Sequence, residues 1–330
     1  MRDILISENI RGAAVDALAA RFDVATEADL WKDPTALRRR IGEFRALMVR
    51  NQTRVTAELL EAAPELLVVG RAGVGLDNVD ADAAERAGIV MSYTPDQNAI
   101  SVAELAIGLM ISLARMIPAA HDDTRRGNWD RQRYVGSELY GKTLGIVGAG
   151  KIGYLTATRA RALGMKIVAC DPYLNQDNVL LCELNAALMP LDELLERADV
   201  VSCHLPAAPA TNQLFNAARF RRMKPTAYFI NTSRGQVVCE ADLVAALREK
   251  RLAGAALDVR ATEPPQKGEL ESLPNVILLP HLGAFTREAQ ERVTRAICED
   301  VARVLEGKPA QNAFGTATPA RRRQEAKVEG

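Results

Sequence analysis

The stretch TLGIVGAGKIGYLTATRARALGMKIVACD, residues 143–171, decides the fold. Its apolar run from Leu144 to Val147 reads as a buried β-strand. Gly148, Gly150 and Gly153 follow at the spacing G-x-G-x-x-G, then a run rich in Ala, Leu and Arg reads as a helix that Gly164 can end. A second run, Lys166 to Ala169, leads into Asp171. Strand, glycine turn, helix, strand and acid in this order form a dinucleotide fingerprint. Gly148 permits the tight turn, Gly150 lets the backbone approach a pyrophosphate, and Gly153 lets the helix pack close to the sheet. The helix N-terminus offers N–H groups to the phosphates. Asp171, about twenty residues downstream, can bind the adenosine ribose and would repel a 2′-phosphate, which predicts NAD rather than NADP. No basic residue follows it within DPYLNQD.

Around this stretch lie 330 residues, enough for two domains of ordinary size. At 48% hydrophobic the chain can build real cores, and its 42 basic and 42 acidic residues cancel. That balance argues against a nucleic-acid or membrane-surface role. The N-terminus MRDILISENI has too brief an apolar run for a secretory signal. Five scattered cysteines without a CxxC pair, and three histidines, predict no metal site and a reducing, cytoplasmic compartment.

Before the fingerprint, strands are expected at 3–7, 45–49, 66–69 and 89–91, with helices near 12–20 and on DADAAERAG, a βα repetition that makes a small parallel sheet. Residues 99–118, AISVAELAIGLMISLARMIP, read as one long apolar helix. Glu104 and Arg115 interrupt it, so burial between domains or subunits is favoured over a membrane. The polar segment after it, with Trp129, either wraps a neighbour or plugs a local core gap. After Asp171 the alternation continues through the helix PLDELLERAD, strand VVSCHLP, helix ATNQLFNAARFRRM and strand TAYFINTSRG. The helix EADLVAALREK, the strands GAALDV and NVILLPH, and the helix TREAQERVTRAICEDVARVLEG complete it. The expected domains are 1–98 with 288–314, and 99–287, the second inserted into the first. Residues 315–330, with basic Arg321 to Arg323, read as a disordered tail.

Three residues stand just after predicted strands of the second domain: Arg234 in NTSRG, Glu263 in DVRATEPP and His281 in LLPHLGAF. Open α/β sheets bind ligands outside the carboxyl ends of their strands, so the three can meet in one crevice. There His281 would exchange a proton with a substrate hydroxyl as hydride moves to or from a nicotinamide. Glu263 would hold the other imidazole nitrogen, and Arg234 would clamp a carboxylate. Each also has a plain reading: a solvated edge, a turn before Pro-Pro, a strand cap.

The chain resembles the D-isomer-specific 2-hydroxyacid dehydrogenases, most closely the D-3-phosphoglycerate type, over about residues 3 to 314. The blocks VRNQTRVTAELL, GRAGVGLDNVD, ISVAELAIGLM, LYGKTLGIVGAGKIG, CHLPAAPATNQLFN, INTSRG, LDV and LPNVILLPHLGAFTREAQ carry the resemblance. It implies an α/β fold of two Rossmann-like or flavodoxin-like parallel-sheet domains, usually dimerised through the cofactor domain. It also implies that the matching Arg234, Glu263 and His281 are catalytic. Lys151 and Ile152 match the turn under the pyrophosphate. Leu205, Thr232, Ser233, Asp258, Gly283 and Ala284 match cofactor-lining positions, and Val74 one facing the nicotinamide. The loop Arg71, Ala72, Gly73, Val74 and Gly75 matches one whose backbone N–H groups hold the substrate carboxylate, and Asn98 closes the first linker.

Three departures stand out. A short form lacking the long C-terminal regulatory domain is expected; Phe285 stands where the family commonly has the Ser of HLGAS; and Arg260 replaces a common aromatic. The expected function is NAD-dependent interconversion of a small D-2-hydroxy acid and its 2-oxo acid, 3-phosphoglycerate first. A glyoxylate/hydroxypyruvate or other 2-oxoacid reductase is the alternative, and an NAD-sensing corepressor is the reading from another class. Arg50 and Arg71 end strands of the first domain and exceed what one carboxylate requires, so a phosphate is expected there, unless they merely pair with Glu104 or Asp77. A homodimer built partly on 99–118 completes the expectation.

Overall fold

A computed structural model describes residues 1–320. The chain runs through β1 (Arg2–Ile6), α1 (Ala13–Ala19), β2 (Val24–Thr26), α2 (Pro34–Ile41), β3 (Phe44–Val49) and α3 (Ala57–Glu61). It continues with β4 (Val68–Arg71), α4 (Ala81–Arg86), β5 (Val90–Ser92), α5 (Ala99–Ala114) and α6 (Ile117–Arg125). The fingerprint forms β6 (Thr143–Val147), α7 (Lys151–Ala162) and β7 (Lys166–Cys170). After it come α8 (Val179–Leu184), β8 (Ala187–Leu188), α9 (Leu191–Arg197), β9 (Val200–Cys203), α10 (Ala217–Phe220), β10 (Tyr228–Asn231) and α11 (Glu240–Arg248). The last elements are β11 (Gly254–Leu257), β12 (Val276–Leu278), α12 (Arg287–Leu305) and β13 (Ala313–Phe314).

These elements divide into two compact units, one of Met1–Asn98 with the chain from Phe285 on, the other of Ala99–Ala284. The first carries a sheet in the order β13-β5-β4-β3-β1-β2, parallel except for antiparallel β13. Its strands are nearly continuous apolar runs, as a sheet covered on both faces requires. Its helices start where a polar residue can cap them: Asp33 ahead of Pro34, Thr56, Asp80 and Thr286 each accept a backbone N–H of the first turn. Helix α12 seats closely on β4 because Gly70 has no side chain; a Cβ there would lie 2.8 Å from Val301. Buried Asp300, also on α12, accepts from Ser92 Oγ at 2.7 Å, Gln311 N at 2.7 Å and Asn312 N at 3.0 Å. The strand order reverses direction between β1 and β3, the switch point of a flavodoxin-like sheet.

The second unit carries an all-parallel sheet in the order β12-β11-β10-β9-β6-β7-β8. This is the doubly wound Rossmann order with one further strand, and its switch point lies between β6 and β9. Phe215, Phe220 and Phe229 are fully buried on one face, with centroids 4.7 and 5.5 Å apart for the two pairs that Phe229 makes. Helices α5 and α7 cover the other.

Several expectations need correction. The helix expected over 99–118 breaks at Met116, which takes a left-handed φ of 50°, and α5 and α6 diverge by 63°. No single helix among the described residues is long and apolar enough to cross a membrane. The helix expected over 210–223 is a 3₁₀ turn, Pro209–Thr211, followed by the short α10. Between them Phe215 pairs its backbone with Val237 and Val238 instead of continuing a helix. Trp129 is 81% exposed, so it plugs no core gap within this chain. The expected tail is ordered at its start: Ala310 N–H donates to Ala317 O, Ala320 N–H donates to Gly88 O, and Pro319 is buried. The cluster Arg321 to Arg323 lies outside the described residues.

Candidate functional site

The glycine turn sits at the switch point of the second sheet. Gly148 has φ +90°, which side-chain-bearing residues rarely adopt, and its backbone lies against His204 and Leu205 at the end of β9. A Cβ on Gly153 would strike the carbonyl oxygen of Gly148, so only glycine lets α7 start this close to the turn. Gly150, by contrast, faces open space, and the start of α7 has no side-chain cap. A twelve-residue helix thus presents uncapped N–H groups beside a bare backbone, which is what a pyrophosphate needs. Lys151 is exposed on the first turn and Ile152 half-buried. Asp171 ends β7 and accepts from Ala149 N at 2.9 Å and Tyr173 N at 3.0 Å. It therefore holds the glycine loop, and its remaining lone pairs are those a ribose would use. The residues present fit a dinucleotide.

At the same strand ends stand the titratable residues. His281 Nδ1–H donates to Glu263 Oε2 at 2.7 Å, and Glu263 Oε1 accepts from Arg260 N at 3.0 Å. Half-burial pushes the Glu263 carboxyl up. The bonds from His281 and Arg260 and the charges of His281 and Arg234 outweigh it, so the carboxyl falls below its usual range. Nδ1 being engaged, Nε2 is the imidazole atom left for a proton transfer. His281 is one of the few non-glycine residues at left-handed φ, here 57°. Asp258 supports that conformation: its backbone oxygen accepts from His281 N at 2.8 Å, and its carboxylate from Leu282 N at 2.6 Å and Gly283 N at 2.8 Å. Burial raises the Asp258 carboxyl, with those N–H bonds opposing.

Asn231, at the end of β10, plays the same part for Arg234. Its side chain accepts from Ser233 N at 3.0 Å and donates to Arg234 O at 2.8 Å, closing the turn that carries the guanidinium. Buried Thr232 keeps an Oγ1 without a hydrogen-bond partner. Neither Asn231 nor His204 is marked by a motif of its own in the sequence. His204 lies 2.9 Å from Ser202 Oγ through Nε2, and burial lowers its imidazole to about 4. It is therefore neutral at physiological pH and has no carboxylate partner, unlike His281.

The loop at 71–75 belongs to the first unit. Two of its N–H groups are already used: Ala72 N–H donates to Val49 O and Gly73 N–H to Arg71 O, both at 2.8 Å. Those of Val74 and Gly75 take no partner among the described residues. Val74 and Gly75 are thus the loop residues whose N–H groups are open to a ligand. Asn98 is half-buried, with Oδ1 unpartnered. Arg50 follows β3 at the switch point of its own sheet. Its guanidinium makes no ion pair among the described residues and lies 5.2 Å from the centroid of the Phe285 ring. Nearby buried Glu8 spends its carboxylate on the N–H groups of Arg50, Gln52 and Thr53. Glu104 pairs with Arg159 at 3.3 Å. Arg260 is buried between Glu240 and Glu271. No group of three or more metal-ligating side chains occurs among the described residues.

Fold and glycine turn together define a doubly wound dinucleotide-binding protein. The profile of the D-isomer specific 2-hydroxyacid dehydrogenase NAD binding domain matches residues 107–283. The chain belongs to that family. It is 42% identical over 318 residues to D-3-phosphoglycerate dehydrogenase from Synechocystis, covering 95% of this chain and 56% of that relative's length. Among solved structures it is similar to the TT0316 protein from Thermus thermophilus, with a TM-score of 0.89 and 34% identity over 94% of this chain and 99% of that one. It is also similar to a glyoxylate reductase from Paecilomyes thermophila, with a TM-score of 0.83 and 29% identity over 97% and 99% of the two chains.

Proposed function

We propose that this chain is an NAD-dependent oxidoreductase that interconverts a small D-2-hydroxy acid and its 2-oxo acid, with 3-phosphoglycerate and 3-phosphohydroxypyruvate as the first pair. The observation that carries the reading is the His281–Glu263 hydrogen bond, set at the strand ends of the same sheet whose glycine turn fits a dinucleotide. The cofactor supplies hydride transfer. His281 Nε2 gives a proton to the carbonyl oxygen during reduction and takes it back during oxidation. Glu263 holds the ring in position and favours the charged imidazolium. Arg234 orients the substrate carboxylate. The N–H groups of Val74 and Gly75 assist in binding that carboxylate. Leu205, Thr232, Ser233, Asp258, Gly283 and Ala284 line or support the cofactor.

Arg50 is assigned to the phosphate. A half-buried guanidinium that makes no ion pair among the described residues, at a sheet's switch point, is suited to an anionic ligand. A panel of 3-phosphohydroxypyruvate, hydroxypyruvate, glyoxylate and pyruvate with NADH tests the reading. Arg50→Ala is expected to lower kcat/KM for the phosphorylated substrate about tenfold or more, the scale of one lost charged hydrogen bond, and to spare the others. Equal loss on every substrate, or no preference in the unaltered protein, removes the phosphate assignment. A preference for glyoxylate would favour the reductase alternative, which the likeness to the glyoxylate reductase supports. The paired His281 and Glu263 weigh against a corepressor.

The same panel run with NADPH addresses the cofactor. Asp171 is expected to give NADH a higher kcat/KM by at least about a hundredfold; comparable values for the two would displace Asp171 from that role.

We also propose a cytoplasmic homodimer, with no nucleic-acid or membrane partner. Support comes from Trp129, Val135 and Tyr140, all strongly exposed large side chains within one short segment. Light scattering is expected to give twice the chain mass; a single-chain mass at micromolar concentration would refute the dimer.

A further inference from the structure

Arg260 is 8% exposed, although a guanidinium is costly to bury without partners. It has two. Nε and Nη2 reach Glu240 at 3.1 and 2.9 Å, and Nη1 reaches Glu271 at 2.6 Å. Glu240 opens α11, and Glu271 lies in the 3₁₀ turn Leu270–Ser272, so one side chain ties together three successive segments of the chain. Both acids also brace backbone: Glu240 accepts from Ala261 N and Glu271 from Gly268 N, each at 2.8 Å. Arg260 holds the Glu271 carboxyl down to about 2, and its hydrogen bonds outweigh burial to keep the Glu240 carboxyl below its usual range.

The backbone fixed in this way touches each member of the site. Arg260 N–H donates to Glu263 Oε1, and Glu263 Oε2 accepts from His281. On its other side the Arg260 carbonyl is in such close contact with Gly235 that a Cβ at 235 would overlap it, and Gly235 directly follows Arg234. The charged groups facing Glu263 are His281, Arg234 and Asp258.

We propose that Arg260 is a positioning residue for the reaction: clamped by Glu240 and Glu271, it fixes the backbone that presents Glu263 to His281 and supports the turn bearing Arg234. This rests on the proposed roles of Glu263 and His281. Misplacement of such a pair by a fraction of an ångström is enough to slow chemistry without abolishing binding.

The test measures kcat, its pH profile and NADH affinity for Arg260→Met, Arg260→Lys and Glu240→Gln, with 3-phosphohydroxypyruvate and hydroxypyruvate as substrates. Arg260→Met is expected to lower kcat about tenfold or more, with NADH affinity within about twofold of wild type. Bonds that now depress the Glu263 carboxyl would loosen, so the acidic limb of the kcat profile should move to higher pH. Arg260→Lys should recover part of both effects. Glu240→Gln keeps an acceptor for Ala261 N–H and loses only the charged clamp. It should shift the limb in the same direction, and it decides the matter if Arg260→Met does not fold. Unchanged kcat and limb in the folded variants overturn the proposal. So does a loss of kcat that merely follows loss of folded protein, with the limb in place. His281→Ala, measured alongside, separates the two ideas: if it leaves turnover intact the underlying reading fails, and if it abolishes turnover while the Arg260 variants behave as wild type, only the positioning role fails.

Discussion

His281→Ala is expected to lower turnover by at least about a hundredfold while NADH affinity stays near wild type, the usual scale for losing a general acid–base group. Neither of the other two histidines can substitute. His204 is buried and neutral beside Ser202, and His121 is exposed on α6. The fingerprint contacts lie on β6, α7 and Asp171, none of which touches the imidazole through a hydrogen bond, so binding should survive. Steady-state kinetics with the best substrate of the panel, alongside fluorescence titration of NADH, gives both numbers. Turnover within a few-fold of wild type would exclude His281 as the proton carrier.

Asp300→Ala is expected to destabilise the first unit by about 3 kcal/mol or more. The Asp300 side chain is fully buried and receives four donors: the Ser92 hydroxyl, the N–H groups of Gln311 and Asn312, and Asn312 Nδ2 at 3.1 Å. Removing a buried carboxylate leaves those donors unsatisfied and opens a cavity, and each unsatisfied group costs about 1–3 kcal/mol. Thermal unfolding should show a drop in Tm of about 6 °C or more for a protein of this size. A shift of about a degree would mean that water or side-chain rearrangement satisfies the donors.

What the sequence made legible was set by local pattern. The apolar runs and glycine spacing of 143–171 specify strand, turn and helix within thirty residues or so, and each resolves within a residue or two of its expected place. Arg234, Glu263 and His281 could be singled out because strand ends in a parallel sheet all point to one edge. What escaped was pairing over distance. Nothing near Arg260 announces that Glu240 and Glu271 will enclose it. Nothing in GRAGVG shows that two of its amides bond to Val49 and Arg71. The break at Met116 leaves no mark in the sequence because apolar content persists across it, and residues 210–223 resemble a helix because Phe215 obeys helical spacing while its backbone pairs with Val238. Asn231 looked like strand content, yet it organises the turn of Arg234.

The small strand Ala313–Phe314 has a bearing on solubility. It pairs antiparallel with β5 through Ser92 and Met91, and Phe314 meets the Tyr93 ring edge-on at 6.4 Å. A bare β5 would present unpaired amides and carbonyls along the margin of an apolar sheet, a template on which another chain could add a strand. Two residues, preceded by Gln311 and Asn312 that Asp300 holds, occupy that margin from within the same chain, so the sheet ends on this side in an edge strand too short to template another chain well.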